Sequence, residues 1–175
     1  MLNKYPSQSF PLSHPQQRIW FAEIINPNTG VGNLVGHSEL QEPINNKILG
    51  QAINELIKSA DTLRLRIQTT QDGVVQYVAD YEVIALKELE FSTEAQFKQH
   101  IDTLIRYPFA ADNTALYYFE LIRVTGQPTR LVYCFQHVIM DAASMKLTVD
   151  AIYDYYRQLT RGREWLPLDD QDNRH

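Results

Sequence analysis

The chain has 175 residues, 44% of them hydrophobic and 21% charged, which is typical of one globular domain with a sizeable core. Its net charge of −5 and its lack of basic runs argue against nucleic-acid binding. No apolar run reaches the roughly 18 residues of a membrane span, and the N-terminus lacks the apolar core of a signal peptide. The one cysteine, Cys134, excludes an internal disulfide, so we expect a cytosolic protein without a membrane partner.

The first third of the chain is predicted to contain an arm, a helix and a connection. Residues 1–12 are polar and carry two prolines, which favours an extended N-terminal arm. Ser13 followed three residues later by Gln16 is a capping-box pattern and predicts a helix over residues 13–25. Residues 28–37 are rich in Gly and Asn but lack the spacing of phosphate-binding loops. We interpret them as a flexible connection into a strand at 33–40.

The middle of the chain combines two amphipathic helices with strands. Apolar residues at 3.6-residue spacing predict a helix over 45–60 and another over 92–107. Alternation at 63–67, a turn signal at 71–73 and apolar residues at 74–79 predict a hairpin, and a shorter strand is predicted at 81–89.

The last third is predicted to be two antiparallel strands, at 116–124 and 131–138, followed by a helix over 142–160 and a polar tail at 168–175. The elements show no strict βαβ rhythm, which indicates an α+β fold, a two-layer sandwich of one mainly antiparallel sheet covered by helices. We expect residues 13–167 to form a single domain.

His137 is the candidate for chemistry, because it ends an apolar strand and imidazole accepts protons near neutral pH. The alternative is a structural, hydrogen-bonded histidine. Alternation places Cys134 and Gln136 on the opposite face of the strand from His137, so Cys134 is interpreted as a buried apolar residue and not as a nucleophile.

Asp141 precedes the last helix and has two interpretations. It is a preferred residue for an N-cap. It could also form an ion pair that fixes the turn carrying His137, with Arg64, Arg66 or Arg18 as the cation. No other histidine has metal-ligand spacing to His137 and Asp141, so we predict no metal site.

Three stretches, in order along the chain, resemble the motifs of one family. Residues 136–142, Gln-His-Val-Ile-Met-Asp-Ala, are similar to the HHxxxDG motif of nonribosomal peptide synthetase condensation domains, which share the fold of chloramphenicol acetyltransferase. Residues 13–20 resemble the motif SxAQxRLW, and residues 61–67 resemble HExLRTxF. The chain therefore resembles the N-terminal lobe of a condensation domain.

The resemblance implies an acyl transfer that forms a peptide bond. Both substrates would be thioesters on the phosphopantetheine arms of carrier proteins, and no cofactor would bind directly. His137 would be catalytic, as general base or as the group that positions the amine. Asp141 would pair with Arg64, and Gln136 would be a structural residue at the site. Trp20, Ala142 and Ser144 would line the substrate tunnel. The implied partners are a C-terminal lobe, donor and acceptor peptidyl carrier domains and an adenylation domain.

The sequence departs from the family pattern at two motif positions. Gln136 stands where the motif has its first histidine, and Ala142 stands where it has glycine. A residue with a Cβ disfavours positive φ, so ordinary helical geometry is expected at Ala142. The resemblance covers the first lobe of the family alone, and we expect the isolated chain to fold without catalysing condensation.

Two other functions fit part of the same pattern. The chain could be a lobe of a CoA-dependent acyltransferase of the same superfamily, because the HxxxD core does not distinguish the two. It could also be a non-catalytic binding or scaffold module, an interpretation that Gln136 supports.

Overall fold

Twelve helices and strands make up the part of the chain that the computed structural model describes, which is residues 8–27, 29–40, 43–109 and 113–161. In chain order they are β1 (Phe10–Pro11), α1 (His14–Ile25), β2 (Asn33–Glu39), α2 (Asn46–Ser59), α3 (Asp61–Arg64), β3 (Leu65–Thr70), β4 (Gly73–Val78), β5 (Lys87–Phe91), α4 (Glu94–Ile105), β6 (Tyr117–Val124), β7 (Arg130–Gln136) and α5 (Ala142–Thr160). Among these described helices, none has both the length and the hydropathy of a membrane span.

Helix α1 begins as the sequence predicts. The Ser13 hydroxyl accepts a hydrogen bond from the backbone N–H of Gln16 at 3.4 Å, and the Gln16 side chain accepts one from the Ser13 N–H at 2.9 Å. This capping box satisfies two N–H groups that the first helical turn leaves unpaired. Pro15 lies in that same turn, where its missing N–H removes no helical hydrogen bond.

The strands form two sheets, whereas we predicted one. The larger sheet has the order β2-β7-β6-β5 and the smaller one β1-β4-β3. Strand β5 runs parallel to β6, and the other paired strands are antiparallel. The α+β class and the mainly antiparallel arrangement are confirmed.

Strand β7 is buried along its whole length and separates two cores. Leu131, Tyr133 and Phe135 belong to the larger core, which includes the apolar stripes of α2 and α5. Val132 lies in the smaller core together with Phe97 of α4. The predicted alternation along this strand is therefore confirmed, and the strand carries the candidate site at its C-terminal end.

Residues 61–64 were predicted wrongly in part. They form the single helical turn α3, and strand β3 begins at Leu65. One turn is too short to leave a helical period in the sequence. Leu63 and Ile67 are buried on either side of the boundary, which produced the alternation that we interpreted as one strand.

The segment at 81–86 was predicted as the start of a strand and instead lies along α2. The Asn54 side chain accepts a hydrogen bond from the Ile84 N–H and donates one to the Ile84 carbonyl, both at 2.9 Å. An amide side chain thus provides the hydrogen bonds that a neighbouring strand would supply. The strand itself is displaced to Lys87–Phe91.

The predicted arm is in part a strand, because Phe10 and Pro11 pair with β4 at the edge of the smaller sheet. Residues 1–7, the end of the predicted domain at 162–167 and the predicted tail at 168–175 lie outside the described residues.

Candidate active site

His137 occupies the turn that follows β7, one residue beyond the last paired residue of the strand. Its backbone N–H donates to the Gly32 carbonyl at 2.6 Å, and its carbonyl accepts from the Met140 N–H at 3.4 Å. We predicted that the strand would extend to residue 138. It ends earlier because the turn bonds back on itself, with the Ile139 N–H donating to the Gln136 carbonyl at 3.1 Å.

The half-buried His137 side chain lies at a cleft of about 370 Å³, which we call the histidine cleft. The cleft is lined by one face of α1 and by the loop before β2, namely Pro15, Arg18, Ile19, Ala22, Val31 and Gly32 together with His137. The Nδ1 atom of His137 is buried and has no hydrogen-bond partner among the described residues. A mostly apolar cleft with one imidazole at its wall can hold an uncharged group beside a proton acceptor.

Gly32 links helix α1 to the His137 backbone. Its N–H donates to the Glu23 carboxylate at 3.0 Å, and its carbonyl accepts from His137. A Cβ on Gly32 would lie 2.5 Å from Nε2 of Gln136 and 2.9 Å from Oε2 of Glu23, so no larger side chain fits without displacing them. We missed Gly32 and Val31 because we interpreted the Gly-rich segment as a connection. Gly30 and Gly32, two residues apart, are a sequence signal for a backbone that packs closely against its neighbours.

Gln136 is directed away from the histidine cleft, as the alternation predicted. The side chain is buried, and its Oε1 accepts from the Val138 N–H at 2.5 Å. It lines a second cleft, on another face of α1, together with Trp20. Gln136 therefore holds the backbone of the turn and faces a different space from His137.

Asp141 caps α5 and does not pair with Arg64. Its carboxylate accepts from the Ser144 N–H at 2.7 Å, which confirms the N-cap prediction. This hydrogen bond, a second one from the Ser144 hydroxyl and the electrostatic effect of the neighbouring His137 lower the pKa of Asp141 below its ordinary value.

The predicted Asp141–Arg64 ion pair is wrong, because Arg64 has nearer partners. Its guanidinium pairs with Asp61, three residues earlier on α3, and donates to the Ala79 carbonyl at 3.1 Å. The helical turn at 61–64 creates this local pair, whereas we had assigned Leu63 and Arg64 to a strand. Arg66 donates to the Leu63 and Leu65 carbonyls, whereas Arg18 lines the histidine cleft.

The three predicted tunnel-lining residues lie in different surroundings. Trp20 is buried in the larger core and reaches the second cleft. Ala142 and Ser144 are exposed at the start of α5, and Ala142 has the ordinary helical geometry that we expected of it. Their role in lining a tunnel stays a prediction.

Cys134 is confirmed as a buried apolar residue. Burial raises the pKa of its thiol to about 12, so the nucleophilic thiolate does not form near neutral pH. Among the residues that the structure describes, no three histidine, cysteine or acidic side chains lie close enough together to hold a metal ion.

Replacing Asp141 by Ala is expected to lower the melting temperature by about 2–4 °C, because α5 loses its N-cap. Asp141→Asn keeps a side-chain acceptor and serves as the control. Because the folded pKa lies below the ordinary value of 3.8, the charged cap stabilises the fold above that pH and loses its effect as the pH falls through the folded pKa. Melting curves between pH 3 and pH 7 should therefore show the wild type approaching Asp141→Asn at low pH. A melting temperature of Asp141→Ala equal to the wild type at pH 7 would contradict the cap.

Comparison with known proteins supplies the family. The model of the condensation domain family matches residues 7–172. This chain belongs to the condensation domain family. Relatives of this condensation domain chain include a plipastatin synthase of Bacillus subtilis, 27% identical over 166 residues, and surfactin synthase subunit 1 of the same organism, 29% identical over 162 residues. A linear gramicidin synthase of Brevibacillus parabrevis is 27% identical over 168 residues.

The solved condensation domains agree in fold. The starter condensation domain of rhizomide synthetase superposes with a TM-score of 0.84 at 22% identity, over 93% of this chain. The first condensation domain of the calcium-dependent antibiotic synthetase, in complex with a substrate analogue, gives a TM-score of 0.82 at 19% identity, over 91% of this chain.

The match covers a small part of each relative. The chain spans 6% of the plipastatin synthase and 4% of surfactin synthase subunit 1. It spans 3% of the linear gramicidin synthase. It spans 40% of the rhizomide synthetase condensation domain structure and 41% of the other. This condensation domain chain therefore corresponds to less than half of each of these two solved structures.

Proposed function

We propose that the chain is the N-terminal lobe of a condensation domain that forms peptide bonds between thioester-bound substrates. The observation that carries the proposal is His137 at the wall of the histidine cleft, in the turn where the sequence resembles the family motif. The donor would be an aminoacyl or peptidyl thioester, and the acceptor an amine. Both would be carried on phosphopantetheine arms.

The proposed reaction requires one proton acceptor. The acceptor amine attacks the thioester carbonyl, the C–N bond forms, and the C–S bond breaks. The amine loses a proton, and the leaving thiolate gains one. His137 accepts the hydrogen bond of the amine and receives its proton, because imidazole is suited to that exchange near neutral pH. Its backbone is held by Gly32, which keeps the ring at the cleft wall while the amine approaches.

The remaining part of the condensation domain is the proposed partner for an exposed apolar surface beside the histidine cleft. Phe21, Ile24 and Ile25 of α1 and the neighbouring Val31 are each more than half exposed. Apolar residues clustered in this way mark interaction surfaces. A C-terminal lobe on this surface would close the cleft and exclude water from the reacting atoms. Carrier domains and an adenylation domain are the further partners in the proposal.

Replacing His137 by Ala in a complete condensation domain, with this chain as its N-terminal lobe, is expected to slow amide formation by about 100-fold, the lower range of general acid–base catalysis. Carrier-bound donor and acceptor thioesters are supplied, and the amide product is measured by mass spectrometry. His14→Ala, at the exposed start of α1, is the matched control and should leave the rate unchanged. An unchanged rate in His137→Ala would exclude the catalytic role and favour a binding module. Equal rates with a free acyl-CoA donor would favour the CoA-dependent alternative.

The chain without a second lobe is the other control in this assay. We expect it to fold and to give no measurable amide, since one wall of the cleft is then open to water. Amide formation by the chain alone at the rate of the complete domain would contradict the proposed division of the site between two lobes.

A further inference from the structure

A second cleft lies on a different face of α1 from the histidine cleft. Its volume is about 180 Å³, and we call it the tryptophan cleft. It is lined by Trp20, Glu23, Ile24 and Pro27, which follow one another at helical i, i+3, i+4 and i+7 spacing, and by Pro108, Phe109 and Gln136. Helix α1 therefore has one cleft on each side, and the consecutive residues Gln136 and His137 line one each.

Two of the residues that line the tryptophan cleft carry a buried donor that has no partner among the described residues. These donors are the indole Nε1–H of Trp20, which is 4% exposed, and the amide Nε2 of Gln136, which is 1% exposed. The Gln136 amide cannot be turned over, because its Oε1 accepts the Val138 N–H at 2.5 Å. A buried donor without an acceptor destabilises the fold, so two beside one cleft indicate a ligand that supplies an acceptor.

The Glu23 carboxylate limits which acceptor the cleft takes. It lies at the same cleft, and its Oε2 accepts from Gly32 at 3.0 Å. An ideal Cβ position on Gly32 would lie 2.5 Å from Nε2 of Gln136 and 2.9 Å from Oε2 of Glu23. The amide donor and the carboxylate therefore lie close together. A ligand carboxylate there would be repelled by Glu23, whereas an N–H group would be attracted.

We propose that the tryptophan cleft binds a carboxamide on a short apolar stem. The carbonyl of the ligand accepts hydrogen bonds from Trp20 and Gln136, and its N–H donates to Glu23. Ile24, Pro27 and the other apolar lining residues contact the stem. The volume of 180 Å³ is several times the roughly 30 Å³ that one water occupies in the liquid, so the cleft has room for such a group. This site does not depend on the reaction proposed for His137.

The test titrates the ¹⁵N-labelled 175-residue chain with propionamide and follows the side-chain N–H resonances of Trp20 and Gln136 by NMR. Trp20→Phe identifies the Trp20 indole signal. We expect saturable shifts of both resonances with a dissociation constant in the millimolar range, as for other ligands of this size. Propionate, which has the same shape and a negative charge, should give no saturable shift.

Three variants show whether propionamide binds in the tryptophan cleft, and the comparison of propionamide with propionate does not depend on the stability of any variant. Trp20→Phe keeps an aromatic side chain without the N–H donor and should weaken propionamide binding several-fold, whereas Gln51→Leu, at an exposed position of α2, should not. Glu23→Gln should admit propionate. If propionamide gives no saturable shift in the wild type, the cleft holds water only, and the proposal is overturned. Propionate binding the wild type as tightly as propionamide also overturns it.

Discussion

Gly30→Ala is expected to destabilise the chain by at least about 3 kcal/mol, because the new methyl group has no space. Gly30 has φ +71°, and a Cβ would lie 1.8 Å from the Ile105 carbonyl oxygen and 2.8 Å from its carbon. Both are backbone atoms at the end of α4, and they can move only if the loop detaches from the helix. Urea unfolding followed by circular dichroism measures the effect.

Detachment of this loop would also break the hydrogen bonds of Asn33. Its Nδ2 donates to the Ile105 carbonyl at 3.1 Å and to the Tyr107 carbonyl at 2.8 Å. The same loop carries Val31 and Gly32 to the histidine cleft. The substitution is therefore expected to loosen the backbone support of His137 along with the fold.

Gly126→Ala is the matched control for this experiment. Gly126 has φ +74°, nearly the same as Gly30, but a Cβ there has no heavy atom within 4 Å. It should cost about 1 kcal/mol, the penalty of a side chain in left-handed geometry. The difference in the free energy of unfolding between the two variants therefore measures the cost of placing a methyl group against the Ile105 backbone. Equal losses in both would contradict the packing of Gly30 against α4.

His100→Leu is expected to destabilise the chain by about 3–5 kcal/mol, because it leaves the buried Glu120 carboxylate without its partner. The Glu120 side chain is 0% exposed and pairs with the His100 ring, while its other oxygen accepts from the Tyr118 hydroxyl at 2.9 Å. The group lies beneath α4, on the face of the sheet opposite α2 and α5. Urea unfolding at pH 7 measures the loss.

The matching variant removes the carboxylate as well. His100→Leu/Glu120→Leu should recover most of the lost stability, since apolar residues of similar volume can replace a buried pair. Glu120→Leu alone should cost less than His100→Leu, because the partly exposed His100 ring can then form hydrogen bonds with solvent. The prediction fails if the double variant is as unstable as His100→Leu.

The sequence predicted the helices better than the arrangement of the strands. Helix α2 was evident because five of its residues, from Leu49 to Ile57, form one buried stripe. The division into two sheets depends on which strands pair over long distances, and no local pattern records that. The parallel pairing of β5 with β6 was missed for the same reason, because it also depends on contacts that no local pattern records.

The candidate site was predicted in its own segment and missed elsewhere. His137 and Gln136 lie at the end of one strand, where side-chain alternation predicts their opposite directions. Asp141 lies at the start of one helix, where the preference for N-cap residues predicts its role. The Arg64 partner came from the family resemblance, and it was wrong because Asp61 lies within one turn on α3. Glu23 gave no sequence signal, since an acidic residue on a helix is ordinarily interpreted as a solvated one.

The position of β7 between β6 and β2 sets the order in which the site can assemble. Strand β6 precedes β7 directly along the chain, and the two pair around the turn at Gly126. Strand β2 pairs with β7 from Asn33 opposite Gln136, across roughly a hundred intervening residues, and pairings of that separation form slowly. The hydrogen bond from His137 to Gly32 extends this long-range pairing by one step. The hairpin can therefore fold before the histidine has its support, and the site is completed among the last long-range contacts to form.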